Sequence, residues 1–396
     1  MIKIEDKSLC CGCWACYSIC PKHCIAMQMD SEGFHYPVVD LRNCIDCGLC
    51  DRICPINQPL LDDRLPKNYV VQHKDSIIRK DSTSGGFFTA ISQYVIERGG
   101  IVFGAAFNEG MVLCHQYADT LEDCGKFRGS KYLQSLIGDA YLKAKIFLEE
   151  GKMVAFSGTP CQIAGLYAFL KYRRYERLLT IDLVCHGVPS PRLANDYFAY
   201  NSLKKNSRVV DYKSRDKYYD YCYSTATIFF QDRSKQYHKG KESDFMLALY
   251  FKDMISRPSC YACHFKTLNR ISDFTIFDCW DAPALSKKFD KKGATNVFIH
   301  TLNGRNVFEE LKQYFIWSEA DLASIIERDG DMIKKSVSMN LRRQELFDDL
   351  NRGFTVEDLS NKYLKKTFLQ SLLSTIKPLS YRIGVLQLYL KLKKMR

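Results

Sequence analysis

The chain has 396 residues, 18 of them cysteine, and a formal net charge of +12, a length that suits a small module plus roughly two further domains. Cysteines in this number would suit a disulfide scaffold in a short secreted chain, but the start MIKIEDKSLCC lacks a signal-type apolar stretch, so a reducing cytoplasm is expected. No apolar run reaches the roughly eighteen residues of a membrane span, and no zinc finger or RNA-binding signature accompanies the positive charge, so no nucleic-acid partner is expected.

The first fifty-four residues contain one cysteine pattern twice: Cys10, Cys13, Cys16 and Cys20 before Pro21, then Cys44, Cys47, Cys50 and Cys54 before Pro55. This spacing resembles that of two-cluster bacterial ferredoxins. Three thiolates of each CxxCxxC run wrap one [4Fe-4S] cluster, and the fourth, turned away at its proline, reaches the cluster of the other repeat. Cys10, Cys13, Cys16 and Cys54 are thus expected to hold one cluster, and Cys44, Cys47, Cys50 and Cys20 the other. Cys11 and Cys24 fall outside the register. Disulfides or zinc are the competing uses of such thiols, although zinc usually takes two CxxC pairs rather than two proline-tailed triplets.

Residues 58 to 66 read as a short polar linker. After it, 69–72 is a predicted strand, and Ser84, Gly85 and Gly86 open a predicted helix that Gly99 and Gly100 stop. A strand over 101–107, a helix over 139–148 and a strand over 153–156 follow. That last strand breaks at SGTPC, and a helix runs from 162 to 170. The strand 178–184 ends on Cys185, His186 and Gly187. Alternating helix and strand predict an α/β domain with parallel strands. If the 153–156 and 178–184 strands are parallel, Cys161 and Cys185 lie just beyond carboxyl ends of one sheet, where open α/β folds bind ligands. The region 191–282 reads as α+β, with a hairpin within 212–230 and a helix over 244–255, and the chain is mainly helical from Asp321.

Cys161, Cys185, Cys260 and Cys263 form a second constellation, for which a third cubane, zinc and structural cysteines are the alternatives. Cys114, Cys124, Cys222 and Cys279 read as core or surface residues. Residues 361 to 396 carry nine Lys and Arg and no acidic residue. Apolar positions recur there at helical spacing, as in Leu369, Leu372, Leu373 and Ile376, then Ile383, Leu386 and Leu390. Such a tail either covers the core with its lysines in solvent or docks on an anionic membrane surface or an acidic protein.

The segments TSGGFF (83–88), FRGSKYLQS (127–135), SGTPCQIAGL (157–166), LVCHGVPSPRL (183–193), SRDK (214–217), RPSCYACHF (257–265) and RISDFTIFDCWD (270–281) resemble those of the family of coenzyme F420 hydrogenase/dehydrogenase beta subunits. The likeness runs from about residue 1 to 305. It implies an iron-sulfur flavoprotein of mixed α+β and α/β build: a ferredoxin-type domain (1–58), the two parts of an FAD-binding α/β domain (66–190, and 191–330 with the CxxC pair), and a basic helical tail (331–396). It also implies FAD and a third [4Fe-4S] cluster on Cys161, Cys185, Cys260 and Cys263.

Within that resemblance, Ser84, Gly85, Gly86, Gly129, Ser130, Lys131, Gly158 and Thr159 are the candidate FAD contacts, since glycines and a helix start let backbone N–H groups approach a pyrophosphate. Arg215, Lys217, Arg270 and more weakly Arg128 are candidates for an anionic substrate or deazaflavin-like coenzyme. His186 is a candidate proton donor, with a structural role in its turn the simpler reading. Where relatives commonly read like GDFWG, this chain has Phe277, Asp278, Cys279, Trp280 and Asp281, which puts the deazaflavin in doubt. The expected function is an oxidoreductase passing electrons between clusters and FAD, and on to a hydride acceptor or donor, with a redox protein or ferredoxin-like donor as partner. The alternative is a non-catalytic electron-transfer subunit or adaptor serving glycan or cofactor biosynthesis.

Overall fold

The computed structural model describes residues 1–57, 65–365 and 368–385. Most of the linker, Lys366 and the end of the basic tail from Leu386 on lie outside the described residues, as do the side chains of Leu369, Leu372 and Leu373. The chain divides into two compact units, one of Met1–Arg128, Tyr132–Pro191 and Ser256–Ser338, the other of Gly129–Lys131, Arg192–Ile255 and Met339–Arg396.

The first unit begins with the cysteine-rich module, where β1 (Ile25–Met29) and β2 (His35–Val39) pair antiparallel between the short helices Ala15–Ile19 and Leu49–Arg52. Asp30 closes their turn, its Oδ1 accepting from the Glu32 and Phe34 N–H groups. The rest of the unit is built on β3 (Lys67–His73), β4 (Ile101–Phe107), β5 (Leu113–Ala118), β6 (Val154–Gly158) and β7 (Leu178–Leu183). The second unit supplies β8 (Val209–Asp216), β9 (Thr225–Phe230) and β10 (Lys235–Tyr237), after which the chain returns for β11 (Phe274–Cys279), β12 (Ala294–Ile299) and β13 (Phe315–Glu319).

Eight strands of the first unit form one mixed sheet in the order β13-β3-β12-β11-β7-β6-β4-β5. Side chains alternate across it as the two-residue period of a strand requires. Val102, Ala155, Leu179 and Ile181 enter a core beneath the helices Phe87–Ile96 and Leu302–Leu311. Ile101, Phe103, Val154, Phe156 and Leu178 enter the opposite core beneath the helices Ala140–Glu149 and Pro160–Phe169. A sheet covered on both faces has no solvated side, which is why its strands read as nearly unbroken apolar runs.

Pairs β4–β6, β6–β7 and β7–β11 are parallel, as the sequence led us to expect for 153–156 and 178–184. Because β12 runs antiparallel to both β11 and β3, β3 points the same way as the parallel strands. The carboxyl ends of β3, β4, β6, β7 and β11 therefore share one edge.

In the second unit β8, β9 and β10 form an antiparallel sheet, the hairpin foreseen within 212–230. Its buried anchor is Asp244, which accepts from the Tyr197 and Tyr212 hydroxyls and caps the helix Phe245–Tyr250 at the Leu247 N–H. That helix is shorter than the expected 244–255 because the chain turns at Asp253, whose φ is 56°. From the helix Phe368–Arg382, Tyr381 packs edge-on to Tyr219 and Tyr223, and Lys377 Nζ lies 4.2 Å from the centre of the Tyr223 ring. This stretch of the tail thus covers its own unit. Among the described residues, no helix is long and apolar enough to cross a membrane.

Candidate functional site: three cysteine-lined cavities

All eighteen cysteines are free thiols, and most of them line three cavities. One cavity is lined by Cys10, Cys13, Cys16 and Cys54, with Cys11 beside them. A second is lined by Cys20, Cys44, Cys47 and Cys50, with Cys24 beside them. Each fourth cysteine thus lines the cavity of the other repeat. Sulfurs of both sets meet in one packed group that includes Cys16, Cys20, Cys44, Cys50 and Cys54 around Ile2 and Ile25.

The two loops share a backbone device. Gly12 and Asp46, at equivalent places in the repeats, have φ of 65° and 44°, and Trp14 and Gly48, again equivalent, have φ of 66° and 69°. Two left-handed residues between the first and third cysteines curl each loop so that its thiols face inward. Trp14 holds this conformation with a bulky side chain, at a cost of about 1–2 kcal/mol.

The third cavity, about 560 Å³ against about 350 Å³ for each of the others, is lined by Cys161, Cys185, Cys260 and Cys263. Parallel pairing of β6 and β7 brings the first two to the same sheet edge. Cys161 stands in the first turn of the helix Pro160–Phe169, where Gln162 Oε1 accepts the Thr159 N–H, the return half of a capping box. Cys260 ends a short 3-10 turn that the Pro189–Ser256 bridge holds against the loop after β7. A Cβ at Gly187 would stand 2.9 Å from Ser256 Oγ and 3.3 Å from Cys260 Cβ, so glycine permits this approach. Lys266 Nζ donates to the carbonyls of Cys185 and Met332, closing the cavity wall.

Cys11 and Ile56 line both the first and the third cavity. Hydrogen bonding with Cys13, then with Cys161, holds the Cys11 thiol well above its ordinary value. The same contacts push Cys13 down, and Cys161 to about 7. Burial pushes Cys185 up to about 12. Cys11 therefore stands between two thiol sets.

Among the described residues, no group of three or more His, Cys, Asp or Glu side chains converges on a single ion. The sulfurs border cavities instead.

The remaining candidates fall in three places. Ser84, Gly85 and Gly86 lie at the carboxyl edge beside β3, where the Ser84 hydroxyl donates to the Ala294 carbonyl at 2.5 Å and the Gly85 N–H donates to Thr295 Oγ1 at 2.8 Å. A Cβ at Gly85 would stand 2.5 Å from the Val71 carbonyl, so this glycine is needed for close packing of backbone on the sheet. Gly158 and Thr159 share the edge, Thr159 as part of the third cavity's lining. Gly129, Ser130 and Lys131 belong to the other unit, where the Ser130 carbonyl accepts from the Ser214 N–H and burial lowers Lys131 to about 8.

Of the basic candidates, Arg270 lines the third cavity but is bound to buried Asp182 at 3.1 Å. Arg128 faces Asp81 at 4.0 Å, and Arg215 Nε donates to Ser224. Lys217 lies beneath the Tyr221 ring in the same unit as Arg215. His186 lines the third cavity with Nδ1 3.4 Å from Met332 Sδ. The departure from GDFWG, at Phe277, Cys279 and Asp281, stands at the carboxyl end of β11, with Cys279 buried and Trp280 exposed. Sequence reasoning missed Arg257 and Gln134. Arg257 is fully buried and donates through Nε to the Cys10 carbonyl at 2.7 Å and through Nη1 to Gln134 Oε1 at 3.0 Å. Its only signal was a place beside Cys260.

Behind Cys161 runs a buried chain of hydrogen bonds: His115 Nδ1 to Ser135 Oγ, Ser135 Oγ to Gln162 Nε2, Gln162 Oε1 to Thr159, and Thr159 Oγ1 to Cys161 Sγ. With Nε2 donating to the Ser157 carbonyl, Nδ1 of the neutral ring is the acceptor. Burial lowers His115 to about 4. Below the ordinary 6.5 the unfolded chain binds a proton here that the folded chain refuses, so stability falls as pH drops from 6.5 toward about 4, by about 3 kcal/mol in full. Urea unfolding at pH 7 and pH 5 should show a smaller acid loss for His115→Gln than for the parent chain.

Comparison with known proteins fits this architecture. Residues 9–57 match the 4Fe-4S dicluster domain, and residues 151–322 match the family model for the C terminus of the coenzyme F420 hydrogenase/dehydrogenase beta subunit. The chain is 24% identical to the F subunit of the F(420)H(2) dehydrogenase of Methanosarcina mazei over 46% of its own length and 55% of that protein. Its cysteine module is 36% identical to an uncharacterized ferredoxin of Methanocaldococcus jannaschii, over 16% of this chain and 82% of the ferredoxin. A chain in the structure of the F420-reducing [NiFe] hydrogenase complex from Methanosarcina barkeri superposes with a TM-score of 0.46 at 18% identity, covering 73% of this chain and 94% of that one. The chain spans about half the length of the curated relatives that match its central domain.

A dicluster ferredoxin domain ahead of this α/β domain defines an iron-sulfur redox protein that transfers electrons. Residues 151–322 carry the C-terminal domain of the coenzyme F420 hydrogenase/dehydrogenase beta-subunit family, behind a 4Fe-4S dicluster domain at 9–57.

Proposed function

We propose that the chain is an iron-sulfur flavoprotein oxidoreductase in which three cysteine sets form a line ending at the carboxyl edge of the sheet. Cys20, Cys44, Cys47 and Cys50 would hold the outermost [4Fe-4S] cluster, Cys10, Cys13, Cys16 and Cys54 the middle one, and Cys161, Cys185, Cys260 and Cys263 the third. When bound, the clusters supply one-electron transfer, and FAD supplies the exchange between single electrons and a hydride. The observation that carries this reading is the wall of Cys11 and Ile56 common to the first and third cavities. It makes the Cys10 set the neighbour of the third set and leaves the Cys20 set facing an external redox partner.

The edge that presents Cys161 and Cys185 also presents Ser84–Gly86 and Gly158–Thr159, at starts of the helices Phe87–Ile96 and Pro160–Phe169. Helix starts favour a pyrophosphate, which supports FAD there. Trp280 and Asp281 at the end of β11 would shape the substrate side of that edge. A deazaflavin-like coenzyme or another small anion is the substrate class.

The bonds already made by the Ser84 hydroxyl and the Gly85 N–H favour a second reading, an electron-transfer subunit or adaptor without a flavin of its own. Anaerobic purification separates the two. About one FAD per chain with all clusters loaded supports the oxidoreductase, and loaded clusters with no flavin, even after incubation with FAD, support the adaptor.

A further inference from the structure

Arg257 is a buried cation with no carboxylate partner among the described residues. Its Nε donates to the Cys10 carbonyl at 2.7 Å, Nη1 to Gln134 Oε1 at 3.0 Å, and Nη2 to the His35 carbonyl at 3.0 Å, with Cys10 Sγ 3.5 Å from Nη2. The guanidinium carbon stands 4.2 Å from the centre of the Tyr36 ring. These neutral acceptors take up most of its N–H groups but do not balance its charge, and an isolated buried charge is strongly destabilising. The glycine before Cys13 is shaped around it: a Cβ at Gly12 would stand 2.8 Å from Arg257 Nη1 and 2.6 Å from Gln134 Nε2.

Among the described residues the second set has no buried cation of this kind: Arg52 donates through Nη2 to the Cys47 carbonyl at 3.0 Å, but its side chain is exposed. Lys22 and the Met1 amino group, which line its cavity, are also exposed, Met1 being paired with Asp46 at 3.3 Å, and a hydrogen bond to a sulfur of this set, from the Ile2 N–H to Cys50 Sγ at 3.2 Å, comes from a neutral donor. Charges on the surface are screened by water and salt, whereas a buried one acts at low effective dielectric.

We infer that Arg257 is the counter-charge of the cluster held by Cys10, Cys13, Cys16 and Cys54, and that it raises that cluster's reduction potential above the potential of the cluster on Cys20, Cys44, Cys47 and Cys50. Each electron added to a thiolate-bound cubane adds negative charge, and a fixed positive charge with a hydrogen bond to a ligand sulfur stabilises the reduced form. Arg257 is thus a positioning residue. It acts through Cys10 and makes the middle site of the line the one that electrons from outside fall into. This inference rests on the proposed cluster ligands.

The test is a potentiometric titration, followed by electron paramagnetic resonance, of the full chain and of Arg257→Lys, Arg257→Gln and Gln134→Glu. Gln134→Glu keeps an acceptor for Nη1 and sets a negative charge against the guanidinium without removing it. Full iron and two resolved ferredoxin-type couples in the parent chain establish the cluster reading independently of any shift. The expected result is that one couple moves negative in Gln134→Glu and in Arg257→Gln by at least a tenfold change in its reduction equilibrium, about 59 mV for one electron. The other couple stays, and Arg257→Lys falls between. Loss of iron from Arg257→Gln together with the shift in Gln134→Glu also supports the inference. Gln134→Glu with full iron and unmoved couples overturns it, and so does Gln134→Glu that loses the middle cluster outright, because Arg257 then serves only to hold the loop.

Discussion

Cys185→Ser is expected to lose about four of about twelve irons per chain, the content of one of three [4Fe-4S] clusters. Cys185 is held at the end of β7 by the sheet, with its carbonyl bound to Lys266 Nζ and its thiol facing Cys161, Cys260 and Cys263 across the third cavity. A serine hydroxyl is smaller, harder and less readily ionised than a thiol, and suits iron in a cubane poorly. The substitution leaves the ferredoxin module untouched, so its two couples should persist in the visible and paramagnetic spectra. Reduction of a terminal acceptor should fall by orders of magnitude, because the third set is the one that reaches the sheet edge. Iron analysis and rapid-mixing kinetics on the same preparation check both halves. Unchanged iron with unchanged spectra would make Cys185 a packing residue.

The second large effect is expected at Gly165, in the helix that carries Cys161. A Cβ built there meets the Tyr141 hydroxyl at 2.8 Å and Cys13 Cβ at 2.9 Å, so the helix lies directly on the loop of the first cysteine set. Tyr141 cannot yield, since it is fully buried and its hydroxyl donates to the Gln162 carbonyl at 2.7 Å. Gly165→Val should therefore push the ferredoxin loop away from the helix. Overpacking typically costs about 1–3 kcal/mol, read as a lower urea midpoint. Because electron transfer falls steeply with separation, the rate between the first and third sets should drop more than stability does. Gly165→Ala should show the same two changes to a smaller degree. A Gly165→Val chain with native stability and native rates would show that the contact at Cys13 carries neither.

The parts legible in the sequence were those fixed by local spacing. The place of Cys20 and Cys54 on the cavity of the other repeat follows from the proline-tailed fourth cysteine of each run, and the sheet edge at Cys161 and Cys185 follows from strand, glycine turn and helix in short succession. The parts that escaped depend on residues distant in the chain. Arg257 faces Cys10 across 247 positions, and nothing near it says what its guanidinium would meet. Cys11 and Cys24 break the repeat register, so spacing alone set them aside, yet each lines a cavity. Gly85 looked like a phosphate turn because such turns and close backbone packing both require glycine; only the Val71 carbonyl opposite it reveals the second use. The stretch Gly129–Lys131 reads as continuous with the α/β domain but packs with residues 192–255, since compactness is decided by contacts that a linear reading does not contain.

The three cysteine sets are proposed to hold three [4Fe-4S] clusters in a line. Iron and acid-labile sulfide analysis with Mössbauer spectroscopy on the anaerobically purified full chain tests this most directly. About twelve irons per chain, all in [4Fe-4S] environments, is the predicted result. About eight irons per chain after full reconstitution, with Cys161, Cys185, Cys260 and Cys263 open to thiol alkylation, would contradict it.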